Sequence, residues 1–259
     1  MLLGLVFGGT QVLLAQHSQG RRYAATVVQK SQGVAQGHDA VTSDEERKHW
    51  SAEPGCFEQK RDIPDRTVSR SWTMLSPDGR YKAYAVNEAI AERSNEEISG
   101  CKSTTKLFVS GPGSESTKAV LTIEPAQYVT GNSIELVDWS PRGHLLLFSE
   151  GMWVWASDAG GVAVHIYDAD SGDMSEEDSF EDAFLQRLGA NCVGNFDPIG
   201  FSASGKVVVK AFPDVDEDGI LQKDSCVKNA GVWALDIATG RVDRLRDDYK
   251  VRRYGKKRN

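Results

Sequence analysis

A short turn recurs three times at near-equal spacing, and no other feature constrains the fold of this chain as tightly. Ser76-Pro77-Asp78-Gly79, Ser140-Pro141-Arg142-Gly143 and Ser202-Ala203-Ser204-Gly205 begin 64 and 62 residues apart. Repetition at a fixed period means one supersecondary unit used several times. In each copy the turn separates two apolar runs. They are Ser71-Trp72-Thr73-Met74-Leu75 and residues 81–86 in the first, and Ile134-Glu135-Leu136-Val137-Asp138-Trp139 and Leu145-Leu146-Leu147-Phe148 in the second. In the third they are Pro198-Ile199-Gly200-Phe201 and Val207-Val208-Val209. Proline at the second turn position presets φ and glycine at the fourth accepts positive φ, so each copy reads as a β-hairpin.

Further along each copy an aromatic or β-branched run ends in small polar residues: Leu107-Phe108-Val109-Ser110-Gly111, 164–172 and Val232-Trp233-Ala234-Leu235-Asp236-Ile237-Ala238-Thr239-Gly240. Short final runs, 119–123 and 241–245, follow in two of the copies. Four strands per copy make one propeller blade. The expectation is an all-β chain, a partial or small β-propeller of about three four-stranded antiparallel blades covering about residues 67–128, 129–190 and 191–250. An antiparallel sandwich of hairpins is the competing arrangement. The series strand, Ser76-Pro77-Asp78-Gly79-Arg80, strand, and an aromatic strand ending Asp236-Ile237-Ala238-Thr239-Gly240-Arg241 resembles the WD-like repeat of TolB-type β-propellers, found in periplasmic and secreted bacterial proteins. The resemblance covers about residues 67–247 and implies blade architecture, not an activity, because such blades serve scaffolds, hydrolase companion domains and binding proteins alike. Arg142 replaces the aspartate of the second turn, and Ala203 and Ser204 replace the proline and aspartate of the third.

The flanks read differently. Residues 1–15 are apolar, too short to span a bilayer, and end in Ala15 before polar sequence, which suits a signal peptide. No basic residue precedes Arg21, so a weak membrane anchor is the alternative. Residues 16–66 are polar and weakly patterned, an N-terminal arm. The formal net charge is -7, yet residues 250–259 carry Lys250, Arg252, Arg253, Lys256, Lys257 and Arg258 and no acid. The body is therefore more acidic than the whole, which argues against a nucleic-acid binder. Residues 251–259 read as a solvated basic tail, with a phosphate surface or an acidic partner as the alternative. With no stable membrane insertion after cleavage, the mature protein is expected in the periplasm or outside the cell.

Export gives the four cysteines a structural reading, since none forms a Cys-x-x-Cys pair. Cys101 and Cys226 each lie six residues before the aromatic run of their repeat, in insertions that the cysteine-free second repeat lacks. Each has one upstream candidate partner, which predicts Cys56 with Cys101 and Cys192 with Cys226. The third insertion also holds Asp214-Val215-Asp216-Glu217-Asp218-Gly219, whose alternate carboxylates and sixth-position glycine suit calcium at Asp214, Asp216 and Asp218. Ser225 stands where a calcium loop carries its bidentate glutamate, and a solvated acidic loop is the bland alternative. No cofactor is required on this reading.

Other chemistry finds no support. There is no Gly-x-Ser-x-Gly elbow, phosphate loop or His-Glu-x-x-His, the five histidines lack metal-ligand spacing, and no catalytic residue is assigned. His165 reads as a packed strand residue, and Trp153 with Trp155 as packing between sheets. Ser179 to Gly189 carries helical periodicity with a serine cap and a glycine stop, one short helix in the outer position of the second repeat. Three blades do not close a ring, and open edges need a cover: the arm, a second copy or a partner. The function expected is an exported, non-enzymatic binding or scaffolding role through blade edges; the runner-up is a secreted hydrolase or lyase working with carboxylates on the same scaffold.

Overall fold

The three repeated turns fold alike in the structure, a computed structural model that describes residues 26–27, 44–57, 64–94, 97–112, 118–125, 130–154, 159–175, 179–188, 196–212 and 229–258. Gly79, Gly143 and Gly205 have φ of 75°, 80° and 83°, the left-handed region where a side chain is strained. Their N–H groups donate to the carbonyls of Ser76, Ser140 and Ser202 at 2.9, 2.8 and 2.9 Å. Each serine is buried, and its Oγ accepts the N–H at the start of the next strand, from Tyr81, Leu145 and Lys206 at 2.9, 3.1 and 3.1 Å. The third turn closes at Lys206, one residue earlier than the other two, and does so without proline or aspartate. Serine and glycine are the residues the geometry requires.

The arm supplies strand β1 (Thr26–Val27), helix α1 (Asp44–Trp50) and strand β2 (Ser51–Ala52). The first repeat contributes β3 (Arg66–Arg70), β4 (Met74–Leu75), β5 (Lys82–Ser94), β6 (Glu97–Ser110) and β7 (Leu121–Ile123). The second gives β8 (Thr130–Trp139), β9 (Leu145–Val154), β10 (Ala159–Asp168) and helix α2 (Ser179–Leu188). The third gives β11 (Phe196–Phe201), β12 (Val207–Ala211), β13 (Gly231–Asp236) and β14 (Arg241–Arg244), and β15 (Lys256–Lys257) closes the chain.

Each repeat becomes its own antiparallel sheet. The first runs β15-β4-β5-β6-β7 with β3 also on β5, the middle β1-β10-β9-β8-β2, and the third β11-β12-β13-β14. The chain is all-β with short helices, as the repeats imply, but no closed barrel or propeller forms among the described residues. Instead the sheets stack. Ala83, Ala85, Leu107 and Val109 of the first sheet meet Ile134, Leu136, Leu146 and Phe148 of the middle one. On its other face the middle sheet sets Val137, Leu147, Val164 and Ile166 against Phe201, Val207, Val209, Trp233 and Leu235 of the third, with Phe184 of α2 inserted. A sheet buried on both faces must be apolar on both, which is why Leu145 to Phe148 show no polar alternation.

Four details depart from the sequence reading. Cys101 does not sit in a loop: the first insertion lengthens the β5–β6 hairpin, and Cys101 lies buried within β6, bonded to Cys56 of the arm with S–S 2.03 Å. The arm holds a helix, α1, besides the expected α2; its seven residues are too few to show a period. The outer place beside β10, assigned to a helix in lieu of a strand, is filled by β1 from the arm, with α2 packed across the interface between the middle and third sheets. Finally, the basic tail is not a loose appendage. Lys256 and Lys257 pair with Leu75 and Met74 of β4, Arg258 donates its N–H to Thr73 O at 3.0 Å, and Lys257 Nζ lies 3.1 Å from the centre of the Trp72 ring. Lys256, Lys257 and Arg258 keep their charges at the surface while the backbone of Lys256 and Lys257 covers the inner edge of the first sheet, as β2 covers that of the middle one.

Candidate functional site

The strands that lead into the three repeated turns, β4, β8 and β11, pack together through β8, and this is where charge concentrates. Glu135 lies on β8 and Asp197 on β11. Arg47 of α1 grips both: Nε and Nη2 donate to Glu135 Oε1 and Oε2 at 2.9 and 3.2 Å, and Nη1 and Nη2 donate to Asp197 Oδ2 and Oδ1 at 3.1 and 2.9 Å. One planar fork thus clamps two carboxylates from two sheets. Burial alone pulls the Arg47 pKa down, but its hydrogen bonds to Asp197 and Glu135 and the charges of those carboxylates outweigh it and hold the guanidinium above its ordinary value. Burial raises the Glu135 pKa despite the attraction of Arg47, because desolvation of that carboxylate exceeds the pairing.

Asp138 lies beside them, 1% exposed. A β-bulge between Leu136 and Asp138 shifts the register of β8 and turns the carboxylate inward. Its Oδ1 accepts N–H bonds from Trp139, Tyr254 and Gly255 at 2.9, 3.0 and 2.7 Å, so the C-terminal segment is tied to the middle sheet through one oxygen. Burial pushes its pKa up to about 6, against the pull of those three amides and of Arg253. Its Oδ2 is buried without a hydrogen-bond partner. That oxygen faces Gly200, where φ is 133° and a β-carbon would come within 3.1 Å of Oδ2 and 2.8 Å of Val251. Arg253 completes the group: its guanidinium stands 5.2 Å from the Trp50 ring centre and 3.5 Å from Glu46. Burial lowers its pKa, opposed by Asp138, Glu46 and Glu135.

Acid–base work on a substrate needs a carboxyl that donates and a carboxylate that accepts, both facing one open space. Asp138 has a suitable pKa, but its oxygens face backbone amides and a glycine; Glu135 and Asp197 face a guanidinium. Arrangements of this kind join elements. Two clefts open elsewhere. One, of about 380 Å³, lies between the repeated turns of the middle and third sheets and is lined by Arg142, His144, Lys206 and Asp236 among others. The other, of about 490 Å³, lies between α2 and β14.

Of the residues singled out in the sequence, Cys56 and Cys101 are joined as expected and packed with Ala89, Ala91 and Ile98. Cys192, Cys226, Asp214, Asp216, Asp218 and Trp155 lie outside the described residues, and so does the apolar segment 1–15. Among the described residues no cluster of His, Cys, Asp and Glu has the makings of a metal site, and no helix is long and apolar enough to cross a membrane. His165 is packed, its ring 5.1 Å from that of Phe148 and its Nε2 3.2 Å from Glu150 Oε2, without the alignment of a hydrogen bond. Trp153 lies over Gly131, where a β-carbon would collide with its ring at 2.1 Å. The sequence reading missed Arg47, Glu135, Asp138, Asp197 and Arg253. Asp138 carried a signal, a carboxylate at an otherwise apolar strand end directly before Trp139-Ser140-Pro141. Neither a protein-family model nor a curated protein matches the chain.

Proposed function

We propose that this chain is an exported binding or scaffolding protein built on three propeller-like repeats of the TolB type, acting through its sheet edges on a protein partner or a second copy. The observation that carries this reading is the fate of the central carboxylates. Where β8 and β11 meet, Glu135 and Asp197 are clamped by Arg47 and Asp138 is bonded to three amides, which leaves none of them facing an open space for a substrate. The Cys56–Cys101 bond suits an oxidising compartment, periplasmic or secreted. Exposed apolar side chains on the outer face of the first sheet, Val68 at 64% and Ile90 at 56%, suit contact with a partner. Calcium at Asp214, Asp216 and Asp218 belongs to the same proposal as an ordering element of the third insertion. The second reading, a carboxylate-dependent hydrolase or lyase, draws on the raised pKa of Asp138.

The test is photo-crosslinking in cells that export the protein, with the reactive group at Val68, at Ile90 or on exposed positions of the other sheets. A discrete crosslinked product that survives Asp138→Asn is the expected result. Turnover of a glycan or ester substrate that disappears with Asp138→Asn, and no crosslinked product, would replace the binding reading with the enzymatic one.

A further inference from the structure

The outer face of the first sheet carries its charges in a definite order. Alternation sends Ala83, Ala85, Asn87, Ala89 and Ala91 of β5 into the stack and the residues between them outward. The registers of β3, β5, β6 and β7 set those outward side chains in rows that cross the strands. The row nearest the repeated turn holds Lys82, and the next pairs Tyr84 with Phe108, their rings stacked at 4.9 Å. In the third, Val86 lies between Arg70 and Lys106. In the fourth, Glu88 lies between Val68 and Thr104, whose Oγ1 donates to Glu124 at 2.9 Å. The fifth sets Ile90 between Arg66 and Lys102, and the sixth holds Glu92. The rows therefore run basic, aromatic, basic, acidic, basic, acidic. Val68 and Ile90 stand 64% and 56% exposed, so nothing among the described residues covers the centre of the face. Arg66 pairs with Glu88 at 2.7 Å and Lys102 with Glu92, but Arg70, Lys82 and Lys106 have no carboxylate partner among the described residues.

We propose that two copies of this chain pair face to face through the outer side of the first sheet, about a two-fold axis that lies across the strands between the rows of Val86 and Glu88. The inference rests on the binding reading above and supplies its surface and its partner. This axis reverses the order of the rows, so each meets a row of another kind. The acidic row of Glu88 faces the basic row of Arg70 and Lys106, and Glu92 faces Lys82. Ile90, with Arg66 and Lys102, faces Tyr84 and Phe108, an apolar contact flanked by cations over rings. An axis along the strands would set every row against itself, like charge on like, and the order of the rows disfavours it. The exposed pairs within one copy exchange partners at little cost, since such pairs contribute little in water. Sheets packed face to face keep their strands within about 30° of each other, which preserves the facing of rows near the axis. The six rows cover about 35 Å by 15 Å, roughly 1,000 Å² for a pair of copies, which is the lower bound of a specific interface. The dimer is accordingly weak and sensitive to salt.

The test is sedimentation equilibrium of the full chain over a range of concentration and salt, with variants that swap charge between the two central rows. Glu88→Lys makes both central rows basic, and Arg70→Glu with Lys106→Glu makes both acidic. Wild type is expected to dimerise reversibly, and each variant alone to self-associate at least about tenfold more weakly. An equimolar mixture of the two variants is expected to recover dimers, because each basic row then faces an acidic one. Recovery on mixing separates a lost contact from a lost fold, and an unchanged melting temperature checks each variant. A wild-type chain that stays monomeric at about 100 μM, a dimer indifferent to both variants, or a mixture that stays dissociated each overturns the proposal. If the chain is monomeric while crosslinks from Val68 or Ile90 join it to another protein, self-pairing is wrong and the binding reading stands; if the crosslinks fail too, that reading goes with it.

Discussion

The two interfaces that hold the stack together are built on different principles. Between the middle and third sheets the contact is aliphatic and aromatic, with Phe184 of α2 wedged among Val137, Leu147, Trp233 and Leu235. Between the first and middle sheets the apolar cluster gives way, toward the outer end of the strands, to a buried polar inlay. There Asn87 Nδ2 donates to Thr105 Oγ1 at 2.6 Å and to Asn132 O at 2.8 Å, and Thr105 Oγ1 donates to Asn132 Oδ1 at 2.5 Å. Asn132 in turn donates its N–H to Ser103 Oγ at 2.8 Å and its Nδ2–H to Ser103 O at 2.7 Å. Apolar burial is non-directional and tolerates small shifts of one sheet over another. Hydrogen bonds in a low dielectric do not, since a shift of one residue leaves several buried groups unpaired. The first interface therefore fixes how two sheets are aligned, and the second supplies adhesion. The disulfide lies beyond the inlay, on the same long hairpin, and ties the arm to it.

This contrast can be broken on its adhesive side. Phe184→Ala removes a fully buried ring from the interface of the middle and third sheets and is expected to cost about 3–5 kcal/mol. Urea unfolding followed by tryptophan fluorescence reads it; a loss below about 1 kcal/mol would mean that α2 is not part of the core.

The seam that joins the two interfaces, Asp138 with the C-terminal segment, answers to pH. Its folded pKa of about 6 lies above the ordinary 3.8, so the folded state holds its proton more tightly than the unfolded one. The stabilisation from that proton is fully present below pH ~4 and is lost as pH rises through ~6, a change of about 3 kcal/mol. Asp138→Asn keeps the acceptor for the three amides and removes the titration. The stability difference between wild type and variant is expected to be flat below pH ~4 and to move in the variant's favour by about 3 kcal/mol up to pH ~6. Parallel stability curves across that window would show that Asp138 is not desolvated.

The smallest effect sharpens the comparison. Asn132→Ala deletes a side chain that bonds Ser103 and Thr105; Thr105 Oγ1 keeps Asn87 and the Asn132 carbonyl as partners, so the cost is that of the Ser103 carbonyl left unpaired, about 1–3 kcal/mol. What separates it from Phe184→Ala is the kind of damage. Loss of alignment should broaden the amide signals of β6 and β8 in the folded protein, whereas the cavity variant should unfold more easily but keep sharp spectra. Sharp signals in Asn132→Ala would assign the inlay to stability alone.

Much of the fold was legible because its signals are local. A serine with glycine three residues on, between apolar runs, was enough to place the hairpins, and even the third turn, Ser202-Ala203-Ser204-Gly205, keeps the geometry. The Cys56–Cys101 pair followed from comparing repeats. The site was far less legible. Arg47 sits in a polar arm, and its partners Glu135 and Asp197 are distant in sequence; nothing in the local pattern distinguishes it from Lys48, its exposed neighbour. The tail was misread for the opposite reason. Its five basic residues are a strong compositional signal, but composition describes side chains, and it was the backbone of Tyr254, Gly255, Lys256 and Lys257 that found partners.

The sequence by itself determined three antiparallel hairpin units, because turn conformation and strand alternation depend on residues close along the chain. Only the tertiary structure decided that the units stack as open sheets, that the arm and tail complete their inner edges, and that the central carboxylates are spent on joining elements. Those outcomes depend on which edges remain unpaired and which charges are desolvated, and both are properties of surfaces that exist only after the sheets have met.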